Sequence, residues 1–305
     1  MADALRDTDR EALDWEDILL SIKYGKCTPF LGAGACVPTL PVGSQIAGEW
    51  ARRFEYPLED TDDLPRVAQF VAVKHGPMRP KYEIARRFGK VKPPDFKAPD
   101  EPHAVLAMLP LPVYITTNYD DFMVKALQSC NKDPVQELCR WNGVLQARPS
   151  VFGKESQFDP TNQRPVVFHL HGRAQMPESL VLTEDDYLDF LVNTSKDQDQ
   201  DIIPARIARA FRETSLLFLG YKLADWDFRV LFRSLVAYMD KSVSNVHLSV
   251  QLVPVDAKAS LGERTRVRDY LDRYFGEHKI KVYWGTCREF VTELRRNWEA
   301  FDHGG

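Results

Sequence analysis

The sequence predicts an α/β protein: a doubly wound, mostly parallel sheet with a helical insertion. Three observations carry that prediction. Apolar strand-like runs alternate with amphipathic helical ones along the 305 residues. Several of those runs are almost wholly apolar, as strands buried on both faces are. Five of them close on glycine or polar residues, at the strand ends where open parallel sheets bind ligands.

The elements follow in order. Leu13, Trp15, Ile18, Leu19 and Ile22 recur at helical spacing in DREALDWEDILLSIKYG, and Gly25 is a stop signal. TPFL reads as a strand running straight into GAGAC. Ser44 is placed to cap a helix over SQIAGEWARRF, and a second helix over about 62–74 puts Leu64, Val67, Ala68 and Val71 on one face. Residues 89–102, rich in Pro and Lys, read as a loop. HAVLAML is helical. In LPVYITTNYD the β-branched VYITT marks a buried strand, and YDDFMVKALQ starts the next helix. A strand near PVQELC, an irregular polar stretch at 147–164 and the strand PVVFHLHG come next. EDDYLDFLVN is helical, DQDQD a solvated acidic linker, and 203–212 another helix. SLLFLGYKLADWDFRVLFRSLVAYM reads as strand, glycine turn and helix. HLSVQLVP is a strand, 258–276 a charged helix, IKVYWG a strand and CREFVTELRRNWEAF the last helix. The expected organisation is one domain over 1–305, with a mainly helical lobe at about 40–110.

Composition narrows the function classes. With 44% hydrophobic and 28% charged residues the chain is neither disordered, collagen-like nor a disulfide scaffold. No run approaches the roughly 18 apolar residues of a membrane span, and the start lacks a basic and apolar leader. A net charge of −4 offers no general footprint for nucleic acid. The expectation is a cytoplasmic protein without a membrane or direct nucleic-acid partner. The five cysteines, Cys27, Cys36, Cys130, Cys139 and Cys287, are odd in number and form no C-x-x-C pair, which fits a reducing compartment and excludes a zinc ribbon.

Chemistry is sought at the strand ends. Gly32-Ala33-Gly34 suggests backbone amides approaching a phosphate, or equally a tight turn that needs positive φ; Val37 stands where a dinucleotide fingerprint has its third glycine. Thr117-Asn118-Tyr119-Asp120 offers an amide able to orient water or a sugar hydroxyl, although Asp120 or Asp121 could simply cap the next helix. His169 and His171 share a face if their strand continues that far, and His171, beside Gly172, is the better placed general base. The five other histidines have no triad or metal-ligand spacing, so no metal is expected. Gly220-Tyr221 and Gly285-Thr286 close two more strands. There is no G-x-S-x-G elbow, G-K-S/T loop or H-E-x-x-H. Arg264, Arg266 and Arg268 read as a solvated face, and Asp197, Asp199 and Asp201 lack the Gly and Glu of a calcium loop. DWDFRVLFRSL looks structural or interfacial.

GAGA, TTNYDDF, HLHG and FLGYKLADWDF, in that order and with the ending VYWGTCREFVTELRRNW, resemble the bacterial sirtuin-like NAD-hydrolase domain of antiphage defence systems over roughly 15–300. The resemblance implies a Rossmann-like fold that takes NAD as substrate. By it, Gly32, Ala33 and Gly34 face the phosphates. Asn118 and Asp120, with Thr117 before them, hold the nicotinamide ribose and water, and His171 is the catalytic base. Gly220 and Tyr221 contact the ribose, and Trp284, Gly285 and the residues up to Cys287 lie near adenine. The sequence departs from sirtuin deacylases in lacking their four zinc cysteines and their Pro-Asp-Phe-Arg segment. The implied activity is therefore an NAD glycohydrolase that depletes NAD in abortive infection. The alternatives are an NAD-dependent protein deacylase and a non-catalytic NAD- or nucleotide-binding subunit. The resemblance further implies homo-oligomers. The length leaves no room for a second sensor domain, so sensing is expected from a partner such as a translocase-type ATPase or an Argonaute-like subunit.

Overall fold

The computed structural model describes residues 13–153, 156–197, 202–221, 247–251, 260–277 and 279–303. Seven strands, β1 (Cys27–Leu31), β2 (Val113–Thr116), β3 (Val135–Leu138), β4 (Val166–His169), β5 (Ser215–Leu219), β6 (His247–Gln251) and β7 (Ile280–Trp284), form one sheet in the order β3-β4-β2-β1-β5-β6-β7. Every pairing is parallel. From central β1 the chain first builds outward through β2 to one edge. It then returns to β5 and builds to the other, so the crevice at the carboxyl ends of β1, β2 and β5 lies where the order reverses.

Period-two alternation sends successive strand residues into two cores. Phe30, Ile115, Phe168, Leu216 and Phe218 join Tyr187, Phe190, Ile207, Phe211, Leu271 and Phe275 on one face. Leu31, Tyr114, Val167, Leu217 and Leu219 join Ile22, Leu106, Met123, Leu127, Phe290 and Leu294 on the other. The helices supplying these faces are α1 (Trp15–Lys23), α5 (Pro102–Met108), α6 (Phe122–Ser129), α8 (Glu184–Ser195), α9 (Ala205–Glu213), α10 (Leu261–Gly276) and α11 (Cys287–His303). The helix that follows β3, Gly143–Gln146, is a single turn, α7.

Between β1 and β2, α2 (Gly43–Phe54), α3 (Leu64–His75) and α4 (Arg79–Phe88) gather a small core of their own. Ile46, Trp50, Val67, Val71 and Ile84 pack there with Leu180 and Leu182 from the segment after β4. α5, although inside the expected helical stretch, covers the sheet instead, because Val105, Leu106 and Ala107 are all buried against it.

Local chemistry explains where the elements begin. Asp14 accepts the Asp17 amide at 3.2 Å and starts α1 at Trp15, while residues 9–12 of the expected helix lie outside the described residues. Ser44 does not cap α2. The helix starts one residue earlier, and the Gln45 side chain reaches back to the Val42 amide at 3.1 Å, doing the acceptor's work from inside the first turn. Asp63 caps α3 through the Arg66 amide at 3.2 Å, ahead of a proline in the first turn. The helix expected after Gly220, including DWDFRVLFRSL, lies outside the described residues, as do most of the acidic DQDQD linker and 252–259.

Candidate active site

Register assembles the edge that holds the site. Leu31 pairs with both Thr116 and Leu219, and Thr116 pairs with His169. One step beyond the strands, Thr117, Gly32 and Leu170 still extend the ladder: Thr117 N–H donates to Leu31 O at 3.0 Å, Gly32 N–H to Leu219 O at 2.8 Å and Leu170 N–H to Thr116 O at 2.8 Å. There the ladder ends: the Asn118 N–H turns back to Thr116 Oγ1, and His171 lies in the turn after β4. The sheet therefore brings the polar ends of β1, β2, β4 and β5 to one edge, and the loops that follow set where Asn118 and His171 point.

The glycines serve contact between two turns. A Cβ at Gly32 would stand 2.8 Å from Gly220 O, one at Gly34 2.8 Å from Gly220 Cα, and one at Gly220 2.3 Å from Ala35 N. Only Gly220, at φ 82°, needs the left-handed region; Gly32 and Gly34 do not, so positive φ is not their reason for being glycine. The amides are also largely spent within the fold. Gly32 donates to Leu219 O, Gly34 to Gly220 O at 2.9 Å and Ala35 to Gly32 O at 3.0 Å. Ala33 N–H, at the start of a one-turn helix over Ala33–Cys36, meets no backbone carbonyl among the described residues. Tyr221 locks the same junction, its hydroxyl donating to Leu31 O at 2.8 Å and lying 2.8 Å from Thr117 Oγ1.

Asn118 is buried, 8% exposed, and its orientation is fixed from one end. Its amide nitrogen donates to Gly32 O at 3.0 Å and to Cys36 Sγ at 3.2 Å, while its own backbone N–H donates to Thr116 Oγ1 at 2.9 Å. The amide oxygen keeps its acceptor capacity. Asp120 does cap: Oδ1 accepts the Phe122 amide at 2.9 Å and so starts α6, whereas Asp121 makes no side-chain cap. Its other oxygen accepts the Cys36 thiol at 3.2 Å. One carboxylate thus serves the helix and the site at once.

Cys36 joins a chain of buried polar groups that sequence reasoning missed. His103 Nε2 lies 3.9 Å from its sulfur, and His103 Nδ1 lies 2.7 Å from Glu101 Oε1. Glu101 Oε2 accepts the Ala104 amide at 2.6 Å and so caps α5. The carboxylate at Nδ1 orients the ring so that Nε2 faces Cys36. Burial first, and then neighbouring Asp120, pushes the Cys36 thiol well up, so it is protonated at neutral pH. Only the Glu-x-His spacing at the end of the proline-rich loop was available as a signal, and nothing in it points 67 residues back to Cys36.

β4 stops at His169, and His171 lies just past it, yet both are buried. The His171 ring sits edge-on to Tyr187 and Phe190 of α8, with centroids 5.3 and 5.1 Å away. Its Nε2, and both ring nitrogens of His169, meet no hydrogen-bond partner among the described residues. Burial lowers the pKa of His171 to about 3, and burial with the Arg173 charge does the same for His169. Gly172 makes the turn behind His171 at φ 83°, where a Cβ would stand 2.2 Å from Ser179 O.

The last strand end contributes differently from expectation. The Trp284 indole donates to Asp272 of α10, at 3.2 and 3.3 Å to the two oxygens, and the Arg268 guanidinium lies 5.3 Å from its ring centre. Arg268 is therefore a packing partner rather than a solvated charge. Gly285 N–H donates to Gln251 O at 2.8 Å. Cys287, two residues on, is the one that reaches the glycine turn, its sulfur accepting from the Gly220 amide.

A doubly wound parallel sheet with an Asn-x-Asp pair, a buried strand-end histidine and interlocked glycine turns at its carboxyl edge defines the class of the sirtuin-like folds. The SIR2-like domain family model matches residues 112–275, and the chain belongs to that family. Among curated relatives it is similar to the NAD(+) hydrolase ThsA of Cytobacillus dafuensis, 24% identical over 241 residues, which is 78% of this chain and 43% of that protein. It is also similar to the NAD(+) hydrolase ThsA of Acinetobacter baumannii (strain 532279), 28% identical over 160 residues, 52% of this chain and 30% of that one. The chain thus matches less than half the length of these relatives. A solved Sir2 enzyme structure aligns over 95% of this chain and 98% of its own, with a TM-score of 0.40 and 10% identity, a likeness too loose to add to the topology.

Proposed function

We propose that this chain hydrolyses NAD at the nicotinamide–ribose bond and serves as the NAD-depleting effector of an antiphage defence system. The observation that carries the proposal is that Asn118 and His171 follow the adjacent strands β2 and β4 at the sheet edge that also holds the glycine turns of β1 and β5. Similarity to proteins named NAD(+) hydrolase supports the substrate.

In this mechanism the leaving nicotinamide is a pyridine that becomes neutral as it departs, so the scissile bond needs neither a general acid nor a metal. The ribose left behind is oxocarbenium-like, and water adds to it. Asn118, held by its nitrogen to Gly32 O, turns its amide oxygen to accept a hydrogen bond from that water. His171 takes the proton, and the products are nicotinamide, ADP-ribose and one proton. Burial keeps His171 neutral across the physiological range, hence always in its base form. Asp120 orients the ribose or the nicotinamide amide through lone pairs not used by Phe122 or Cys36. Gly32, Ala33, Gly34, Gly220 and Tyr221 form the wall against which the diphosphate and ribose lie, with Ala33 N–H the amide of this loop left to donate. In this reading Trp284 and Gly285 stand at the adenine end.

A free NAD hydrolase is toxic, so we take activation to come through oligomers or a sensing partner. No described helix is long and apolar enough to cross a membrane. The test is nicotinamide release from NAD by wild type, Asn118→Ala and His171→Ala, with and without an acetylated peptide. Release that needs no peptide and disappears in both variants supports the hydrolase. Release only with the peptide supports the deacylase, and NAD binding without product supports a pure binder.

A further inference from the structure

The buried cluster of Cys36, His103 and Asp120 has the composition and spacing of a three-ligand site for a thiophilic divalent cation. Cys36 Sγ lies 3.2 Å from Asp120 Oδ2 and 3.9 Å from His103 Nε2, and one ligand atom from each of the three lies within 4.8 Å of the others. Around a tetrahedral zinc, with Zn–S about 2.3 Å and Zn–N about 2.0 Å, neighbouring ligand atoms stand about 3.5 Å apart. The two separations from sulfur bracket that value, and the third, His103 to Asp120, is within 4.8 Å, so side-chain rotation by about an ångström or less closes the site. The donor set excludes calcium and magnesium, which take oxygen ligands.

Two further features belong to metal sites in particular. Glu101 Oε1, 2.7 Å from His103 Nδ1, is the carboxylate that orients a metal-ligating imidazole and leaves Nε2 as its donor. Asn118 Nδ2, donating to Cys36 Sγ at 3.2 Å, is the hydrogen bond that supports a thiolate. Glu101 and His103 are 2% and 1% exposed, an unusual burial for a carboxylate and an imidazole, whose other contacts are a helix cap and the edge-on Phe122 ring at 5.9 Å.

We propose that Cys36, His103 and Asp120 bind one zinc ion, with its fourth position open, and that this ion switches the neighbouring site off. Binding exchanges the Cys36 S–H bond for an S–Zn bond. The proton leaves to solvent, and the Asp120 oxygen that accepted it turns to the metal. The switching part rests on the NAD-hydrolase reading, since it is Asp120 that the ion takes from the substrate and Asn118 whose hydrogen bond to sulfur it tightens.

The experiment titrates the full chain, stripped with chelator, with Co²⁺ as a spectroscopic stand-in and then displaces it with Zn²⁺. One equivalent per chain with a thiolate-to-cobalt charge-transfer band is expected. Cys36→Ser keeps both hydrogen bonds of the thiol and should lose the band and bind at least ~10-fold more weakly. Glu101→Gln keeps all three ligands and should still bind ~10-fold or more weakly, the usual cost of losing an orienting carboxylate. Circular dichroism and melting curves establish that each variant is folded. A missing thiolate band in wild type, or unchanged affinity in Cys36→Ser, overturns the site. In parallel, nicotinamide release should fall at stoichiometric Zn²⁺ in wild type, whereas Cys36→Ser, compared with its own metal-free rate, should need at least ~10 times more. Full metal occupancy without change in the rate overturns the switch. A wild type that shows the cobalt band but never releases nicotinamide overturns the hydrolase reading and leaves the site standing.

Discussion

Two buried polar neighbourhoods share the carboxyl edge of the sheet, and they are built on opposite terms. On the β1–β2 side, Cys36, Asn118, Asp120, His103 and Glu101 satisfy one another and cap two helices on the way. On the β4 side, His169 and His171 are equally buried, but three of their ring nitrogens meet no partner among the described residues, and aromatic edges surround His171. A closed network fixes geometry; a desolvated imidazole without a partner keeps its lone pair for something else. The difference teaches which residues stabilise and which are held in readiness. Glu101 and His103 should matter to stability and little to proton transfer, His171 the reverse.

The largest expected effect tests the second half of that contrast. His171→Ala should lower nicotinamide release at least ~10²-fold, the scale of lost general-base assistance, with a loss of stability limited to the packing of the ring on Tyr187 and Phe190. Asn118→Ala should cost as much in rate but also stability, because Gly32 O and Cys36 Sγ lose their donor. The pH profile sharpens the assignment. With the His171 pKa lowered to about 3, kcat/KM should stay flat as pH falls well below the ordinary histidine value near 6.5. An acid limb centred at 6.5 would place a different, exposed base in the role.

The network's own test is Glu101→Ala. It strips the Ala104 amide of its cap and His103 Nδ1 of its acceptor, both in a buried setting. Each orphaned group costs about 1–3 kcal/mol, so a loss of roughly 3 kcal/mol in urea unfolding is expected. A loss under about 1 kcal/mol would mean that water or a rearranged side chain replaces the carboxylate, and the closed network would not be closed.

These two neighbourhoods were unequally legible. The strand ends could be read because each follows an apolar run, and parallel register sets Thr116 opposite His169, so that Asn118 and His171 both leave adjacent strands at the same edge. The double role of Asp120 was visible only as two competing readings, since one carboxylate has two oxygens and the structure uses both. The sequence singles out the glycines for an incomplete reason; the contact partner of Gly32 and Gly34, Gly220, is 186 or more residues away and no local pattern reveals it. Cys36, His103 and Glu101 were missed for the same reason. Their meeting depends on how the last helix before β2, α5, packs against the first loop, and side-chain spacing along the chain carries nothing of that. For Trp284 the sequence shows only its place at a strand end, whereas its contacts are set by α10 beside it.

Acid should separate the neighbourhoods as well. His169, His171 and, at about 4, His247 have pKa values lowered by burial. The unfolded chain therefore binds more protons than the folded one between about pH 6.5 and pH 4, and stability falls as pH falls through that window. Each imidazole contributes up to about 1.4 kcal/mol per pH unit. Carboxylates held low, such as Glu49 by Arg87, add their loss only below their ordinary value of 4.5. In His169→Leu the dependence of the urea midpoint on pH should flatten by one such contribution. An unchanged slope would mean that His169 accepts a proton in the folded state and is not the desolvated group it looks.

The smallest effect falls where the neighbourhoods meet the glycine turn. Tyr221→Phe removes a hydroxyl that donates to Leu31 O at 2.8 Å and lies 2.8 Å from Thr117 Oγ1. A buried hydrogen bond is ordinarily worth about 1 kcal/mol, and an orphaned partner more. Here neither partner is orphaned. Leu31 O still accepts from the Thr117 amide at 3.0 Å and from Thr116 Oγ1 at 3.3 Å, and Thr117 Oγ1 is itself 3.5 Å from that carbonyl. The ring also stays, with its edge-on contact to Phe30 at 5.6 Å and its place 2.9 Å from where a Gly32 Cβ would be. The expected loss is therefore at the bottom of the range, about 0.5 kcal/mol. A shift several times larger would mean that the hydroxyl, not the packing of the two turns, holds Gly220 against Gly32, and that the wall of the site is as dependent on hydrogen bonding as the network beside it.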